Sequence, residues 1–168
     1  DSSLLYHVGG PSAITEARTW ELPDQSTTPN EPLLARHLKL HELFASGAGN
    51  DIVTSRRLVL GNGDVRISYV VAAETSPLYR NATGDECIFI ESGSGTLETV
   101  FGHLPFSDGD YLIIPRATTH RWVPSGDVRA YAIEANSHIG PARRYLSKFG
   151  QLLEHAPYCE RDLRGPSE

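Results

Sequence analysis

From residue 57 to residue 135 the chain is a succession of short β-branched and aromatic runs, the later ones punctuated by Gly93, Gly95, Gly109 and Pro124. The runs are 57–60 (RLVL), 65–72 (VRISYVVA), 87–90 (CIFI), 96–104 (TLETVFGHL), 111–114 (YLII), 120–123 (HRWV) and 129–135 (RAYAIEA). Each is too short and too β-branched for a stable helix, and their near-regular spacing predicts an all-β sandwich or small barrel. Between the first two runs, Gly61-Asn62-Gly63-Asp64 offers an Asn-Gly pair, whose tolerance of positive φ predicts a tight hairpin. Tyr79, Phe89, Phe101, Tyr111, Trp122 and Tyr131 recur along the strands and are expected to fill the core and its rim.

The flanks read differently. Pro11, Pro23, Pro29 and Pro32, with the polar stretch 24–28 (DQSTT), break the first fifty residues into pieces too short for long helices. Within them, 33–44 (LLARHLKLHELF) fits a helix through Leu34 and Leu38 or a strand through Leu38 and Leu40. At the other end, Tyr145, Phe149, Leu152 and Leu153 lie near helical spacing in 142–155 and predict a short C-terminal helix ending before Pro157. The expected organisation is an irregular N-terminal arm over 1–50 packing on a single barrel domain over 51–168.

With 168 residues and 39% hydrophobic content, such a domain needs no disulfide or metal staple. A net charge of −6 and a pI near 5.6 argue against nucleic acid as a partner. No apolar run approaches the roughly 18–20 residues that span a bilayer, and DSSLLYHVGG lacks the basic and apolar regions of an export signal. Cys87 and Cys159 form no CxxC or zinc spacing, so free thiols in a reduced, cytoplasmic compartment are expected. The chain contains no methionine, even at position 1. With LLYH beginning in mid-pattern and ERDLRGPSE closing without an apolar element, the expectation is a chain processed or cut from a longer one.

The stretch 79–123 is the most informative. Its YRNATGDECIFIESGSG and FSDGDYLIIPRATTHRWV segments resemble the paired motifs of the cupin barrel. The first of those motifs carries two histidines, a glutamate and a later glycine; the second carries glycine, proline, glycine and histidine. Glu86 and Gly93 fall on the first motif, and Gly109, Pro115 and His120 on the second. Tyr79 and Asn81 stand where the two first-motif histidines would be, and Ala117 or Thr118 where the second motif has its inner glycine. A ferrous oxygenase site needs two histidines and a carboxylate facing open positions. Here one of each remains, so Tyr79, Asn81, Glu86 and His120 read as a degenerate site without a tight metal.

A broader likeness surrounds that frame. SSLLYH, LYRNATGDECIFIESGSGTLETVFG, GDYLIIPRATTHRW, RAYAIEANSH and HAPYCERDL together resemble the N-terminal half of the homogentisate 1,2-dioxygenase family, particularly its bacterial members, over nearly the whole chain. The resemblance implies a double-stranded β-helix (jelly-roll) cupin barrel. It also implies a cytosolic, oligomeric two-cupin parent that opens the ring of homogentisate with O2 at non-haem Fe(II), giving maleylacetoacetate in tyrosine and phenylalanine catabolism. The iron ligands of that family belong to the C-terminal cupin half, so no catalytic or substrate-binding residue carries over. This segment would be a metal-free structural and interface half, partnered by the C-terminal cupin, with the small aromatic substrate bound there.

Two rival readings stay open. One is a stand-alone metal-free cupin binding a small ligand around Tyr79, Glu86 and His120; the other is a metal-free isomerase or lyase using Glu86 and His120 as base and acid. His37 and His41 are four apart but lack the zincin glutamate between them, which favours a surface role. His7, His103, His138 and His155 stand alone, with His138 in the EANSH turn of some interest. Arg143, Arg144 and Lys148 read as a solvated helix face or a contact with the second half. Neither a dinucleotide loop nor a nucleophile elbow is present around 91–95.

Overall fold

Alternation of apolar and polar side chains over 65–68, continued by apolar residues, suits a pleated ribbon. The computed structural model, which describes residues 15–16, 18–21, 24–44 and 50–167, pairs this ribbon as an antiparallel hairpin of β1 (Arg57–Gly61) and β2 (Val65–Ala72). The turn differs from the Asn-Gly expectation, because neither Asn62 nor Gly63 has positive φ. Instead Asn62 Oδ1 accepts the N–H groups of Asp64 and Val65 at 2.8 and 2.9 Å, so a side chain closes the turn. His7, Pro11 and Pro23, on which parts of the sequence reading fall, lie outside the described residues.

The remaining strands are β3 (Asp85–Ser92), β4 (Gly95–Thr99), β5 (Gly102–Phe106), β6 (Tyr111–Ile114), β7 (His120–Pro124) and β8 (Val128–Ala135). They form a five-stranded sheet in the order β1-β2-β8-β3-β6 and a three-stranded sheet in the order β5-β4-β7. The run 96–104, expected as one strand, is two: Gly102 at φ 118° reverses the chain, and Thr99 Oγ1 accepts the Phe101 N–H at 2.9 Å within the turn. Central β8 pairs with β2 on one side and β3 on the other, which ties the early hairpin to the motif-bearing strands.

Period-two alternation then decides what is inside. Ile88, Ile90, Leu112, Ile114, Val128, Ala130 and Ala132 face inward from the larger sheet and meet Leu97, Phe106 and Trp122 of the smaller one. Phe106 and Trp122 pack edge to face at 5.3 Å between ring centroids. Burying Trp122 completely is worth enough that truncation to alanine in such a core costs about 3–5 kcal/mol. The other strand aromatics, expected in the core and at its rim, lie outside the core itself. Tyr79 is half-buried against it, whereas Phe89, Tyr111 and Tyr131 sit at outward positions of the larger sheet, and Phe101 is exposed in the β4–β5 turn.

Two helix expectations change. In 142–155 there is no α-helix: Arg143–Tyr145 makes one 3-10 turn, and Leu146 then bridges Leu152 across a tight loop with Gly150 at φ 89°. Leu152 and Leu153 thus serve an irregular reversal, because Gly150 in the left-handed region breaks the helical register between them and Tyr145. Arg143, Arg144 and Lys148 are exposed there, so they share no helix face. In 33–44 only Leu40–Leu43 is helical (α1), with Leu40 its one buried residue; 24–39 is exposed irregular chain. Both cysteines are free thiols. Among the described residues no helix is long and apolar enough to cross a membrane.

Candidate functional site

The motif positions converge as the cupin frame requires. Tyr79 and His120 form an isolated antiparallel bridge with reciprocal backbone hydrogen bonds of 2.9 Å, their rings edge to face at 5.5 Å. Asn81 donates from Nδ2 to Glu86 Oε1 at 3.1 Å, while its Oδ1 accepts the backbone N–H groups of Thr83 and Gly84, holding the turn into β3. Tyr79, Asn81, Glu86 and His120 therefore share one polar pocket at the end of the apolar core.

What the sequence reading missed is Arg56. Its guanidinium enters this pocket and grips Glu86 by two parallel bonds, Nη1 to Oε1 at 3.0 Å and Nη2 to Oε2 at 2.9 Å. The same Nη1 lies 3.2 Å from Glu134 Oε1, Nε donates to the Ile52 carbonyl at 3.2 Å, and the guanidinium carbon stands 5.5 Å from the Tyr79 ring centroid. Glu86 and Glu134 are direct cross-strand neighbours on β3 and β8, where two carboxylates repel. A cation between them is the local remedy, and Arg56 supplies it with forked geometry.

Local sequence explains how Arg56 arrives there. Asp51 caps a tight turn by accepting the N–H groups of Val53 and Thr54 at 2.8 and 3.0 Å, and Ile52 and Val53 are driven into the core. The Arg56 side chain follows them inward, just before β1 starts. No motif marks this, since a lone arginine thirty residues before its partner looks like any surface arginine. Glu134 was equally unmarked in the RAYAIEA run.

Electrostatics follow from burial against pairing. Burial pushes the Glu86 carboxyl up, but the attraction and hydrogen bonds of Arg56, helped by Asn81, outweigh it and hold the group below the ordinary carboxylate range. Burial likewise opposes the charge on Arg56, and the attraction of Glu86 and then Glu134 overcomes it, so the guanidinium stays charged. Tyr79 is raised to about 12, first by burial and then by the Glu86 charge. His120 is lowered, chiefly by burial, and its Nδ1 stands 3.0 Å from the Thr118 carbonyl. That contact assigns the proton of the neutral ring to Nδ1, which leaves Nε2 as a buried acceptor without a hydrogen-bond partner; Trp122 Nε1 and Glu134 Oε2 are also buried without one.

Measured against a ferrous ion, this donor set does not fit. Both Glu86 oxygens are already engaged by Arg56, a permanent cation lies between the carboxylates, and only His120 Nε2 is a free imidazole donor. Among the described residues, no three of His, Cys, Asp and Glu come close enough together to hold a metal. Nor does Glu86 suit a base, since the guanidinium that keeps it ionised also lowers its proton affinity.

The motif glycines have physical reasons. At Gly93, φ 103°, a Cβ would lie 2.4 Å from the Asp127 carbonyl oxygen, and Gly109 adopts φ 83° in the turn before β6. Ala117 stands in the inner glycine place and adopts φ 64°, the sole non-glycine with positive φ among the described residues. The other histidines among the described residues lie apart from the pocket. His37 and His41 are exposed, His103 and His155 lie on other surfaces, and His138 places Nδ1 2.8 Å from Asp85 Oδ2. Asp85, buried, also accepts the N–H groups of Arg116 and Ile139 at 2.8 Å, which joins three turns around the pocket.

Two facing antiparallel sheets with these motif turns define a cupin fold. A cupin-2 domain protein of Shewanella frigidimarina superposes with a TM-score of 0.52 at 15% identity, over 58% of this chain and 93% of that one. Protein NMB1881 of Neisseria meningitidis does so at 0.51 and 13%, over 60% and 99%. No family model matches the sequence. In sequence, the chain is 33% identical over 168 residues to the protein named "Putative dioxygenase SSO1533" of Saccharolobus solfataricus, covering 98% of this chain and 42% of that protein. The chain thus spans less than half the length of that curated relative.

Proposed function

We propose that this chain is the N-terminal, metal-free supporting half of a non-haem Fe(II) dioxygenase of the homogentisate 1,2-dioxygenase type. The observation that carries the reading is the Arg56 fork between Glu86 and Glu134: the place where a cupin would gather a metal is filled by a built-in cation. Three further points support it. Tyr79 and Asn81 stand where the first motif has histidines, the Saccharolobus relative bears a dioxygenase name, and that relative is more than twice as long as the matched segment. Iron, O2 and homogentisate would meet in the second cupin, and this half would supply stability and interface within a cytoplasmic oligomer.

The test is metal analysis and oxygen uptake on two proteins: this chain, and the complete polypeptide read from its gene. Expected are about one iron per complete polypeptide, homogentisate-dependent oxygen uptake by it alone, and no stoichiometric iron on the 168-residue chain. Stoichiometric Fe(II) on the short chain, or a gene ending at Glu168, overturns the reading. One observation favours a stand-alone ligand-binding module instead. His120 Nε2 and Trp122 Nε1, an acceptor and a donor buried without partners, would suit a small polar guest. A gene ending at Glu168 would select that second reading.

A further inference from the structure

The outer face of the five-stranded sheet carries a row of rings that the polar pocket does not use. Phe44 stacks on Tyr69 at 5.8 Å, Tyr69 meets Tyr131 at 5.0 Å, Tyr131 meets Phe89 at 6.2 Å, and Phe89 meets Tyr111 at 4.7 Å. An antiparallel sheet with one face on its core ordinarily turns polar residues outward. Here Cys87, Phe89, Tyr111, Ile113, Tyr131 and Ile133 occupy the outward positions.

Among the described residues, only one end of the row is covered by the chain itself. Phe44, at the end of α1, lies on Tyr69, which is fully buried, and Arg129 donates to the His41 carbonyl at 3.0 Å to hold the arm there. The other end is open. Tyr111 is 67% exposed and Ile113 46%, and both lie on β6, the edge strand of the sheet. Beside them runs a groove of about 790 Å³ lined by Leu104, Ile139, Tyr158 and Leu163. Of its charged lining, Arg164 is paired with Asp110 at 2.7 Å.

We propose that this open half of the sheet face, from Phe89 to Ile113 and into the groove, seats the second cupin half of the same polypeptide. The inference rests on the reading given under Proposed function and names the surface through which that half is joined. The length of the relative argues for this occupant, since a protein matching this chain almost end to end has more than half of its residues elsewhere. A tethered domain has a high effective concentration, and an apolar, aromatic patch on a sheet edge is a surface built for permanent cover. The arm shows the same solution at the other end of the row, where α1 and Phe44 seal Tyr69.

The experiment uses the complete polypeptide containing this chain. Tyr111 is expected to resist nitration by tetranitromethane, and the wild-type protein to unfold in one cooperative transition. Combining Tyr111→Lys with Ile113→Glu is expected to speed amide exchange along β6 by about tenfold or more and to split unfolding into two transitions. Leu60→Glu, on the exposed opposite edge strand, is expected to do neither. Ready nitration of Tyr111 in the wild type overturns the inference even if the double variant does not fold. A double variant that halves the particle mass while unfolding stays single overturns it in favour of a second copy as occupant. Both outcomes leave the supporting-half reading standing, whereas a gene ending at Glu168 sinks that reading and this inference together.

Discussion

Arg56 and Glu86 meet as two planar forks, Nη1 donating to Oε1 at 3.0 Å and Nη2 to Oε2 at 2.9 Å, inside a pocket where each side chain is almost wholly buried. Such a pair is costly to desolvate and costlier to break: without Arg56, Glu86 faces Glu134 with no cation between them, and without Glu86, Arg56 keeps only Glu134.

Removing Arg56 therefore destabilises more than removing Glu86, because Arg56 also serves Glu134. Arg56→Met is expected to cost about 3–5 kcal/mol, Glu86→Leu less because Arg56 keeps Glu134, and the double variant less than the sum of the two. Urea denaturation of the four proteins measures this, and additive losses would show that the pair is not coupled.

Acid should unfold the protein in a defined order. His120 has a folded pKa below its ordinary 6.5, so its contribution is complete above 6.5 and is lost as pH falls through the lower folded value. Glu86, also lowered, contributes fully above 4.5 and fails only on further acidification. Stability measured against pH should thus begin to decline below 6.5 and steepen below 4.5. In a His120→Gln variant the first decline should vanish, and its persistence would assign the proton uptake to another group.

Ala117 and Gly93 offer opposite backbone tests. Ala117 holds φ 64° at an exposed position, so Ala117→Gly is expected to stabilise by up to about 1 kcal/mol, the residual of left-handed strain less the entropy that glycine loses. Gly93→Ala meets both a positive φ and the Asp127 carbonyl at 2.4 Å, and is expected to cost roughly 1–3 kcal/mol. Thermal melts of the two variants should move in opposite directions.

Asp85 ties three turns with one carboxylate. Asp85→Ala leaves the Arg116 and Ile139 N–H groups without their acceptor and is expected to cost about 1–3 kcal/mol. His138→Ala, which removes the exposed partner only, is expected to cost under about 1 kcal/mol. Chemical denaturation distinguishes them, and equal losses would make the ion pair, not the backbone clamp, the source of stability.

Much of the strand pattern was legible because its signal is local. Alternation over 65–72 and 129–135 specifies which side chains share a face, and the motif frame around Gly93, Gly109 and His120 reflects turns that particular backbone angles demand. The misreadings are equally local in origin. Helical spacing in 142–155 was real, but Gly150 in the left-handed region interrupts it. Asn-Gly correctly marked the hairpin, yet the Asn62 side chain closed the turn by a different route.

The amino-acid order by itself determined that this is a chain of short strands, that Glu86 and His120 would be brought together by a cupin-like frame, and that Tyr79 and Asn81 stand where histidines would be. It could not show that Arg56 fills the pocket or that Glu134 shares it. Those facts depend on which residues become cross-strand neighbours and on how far Ile52 and Val53 draw the chain inward. A buried charge finds its partner through three-dimensional proximity, and no spacing rule along the chain encodes a contact thirty or more residues long.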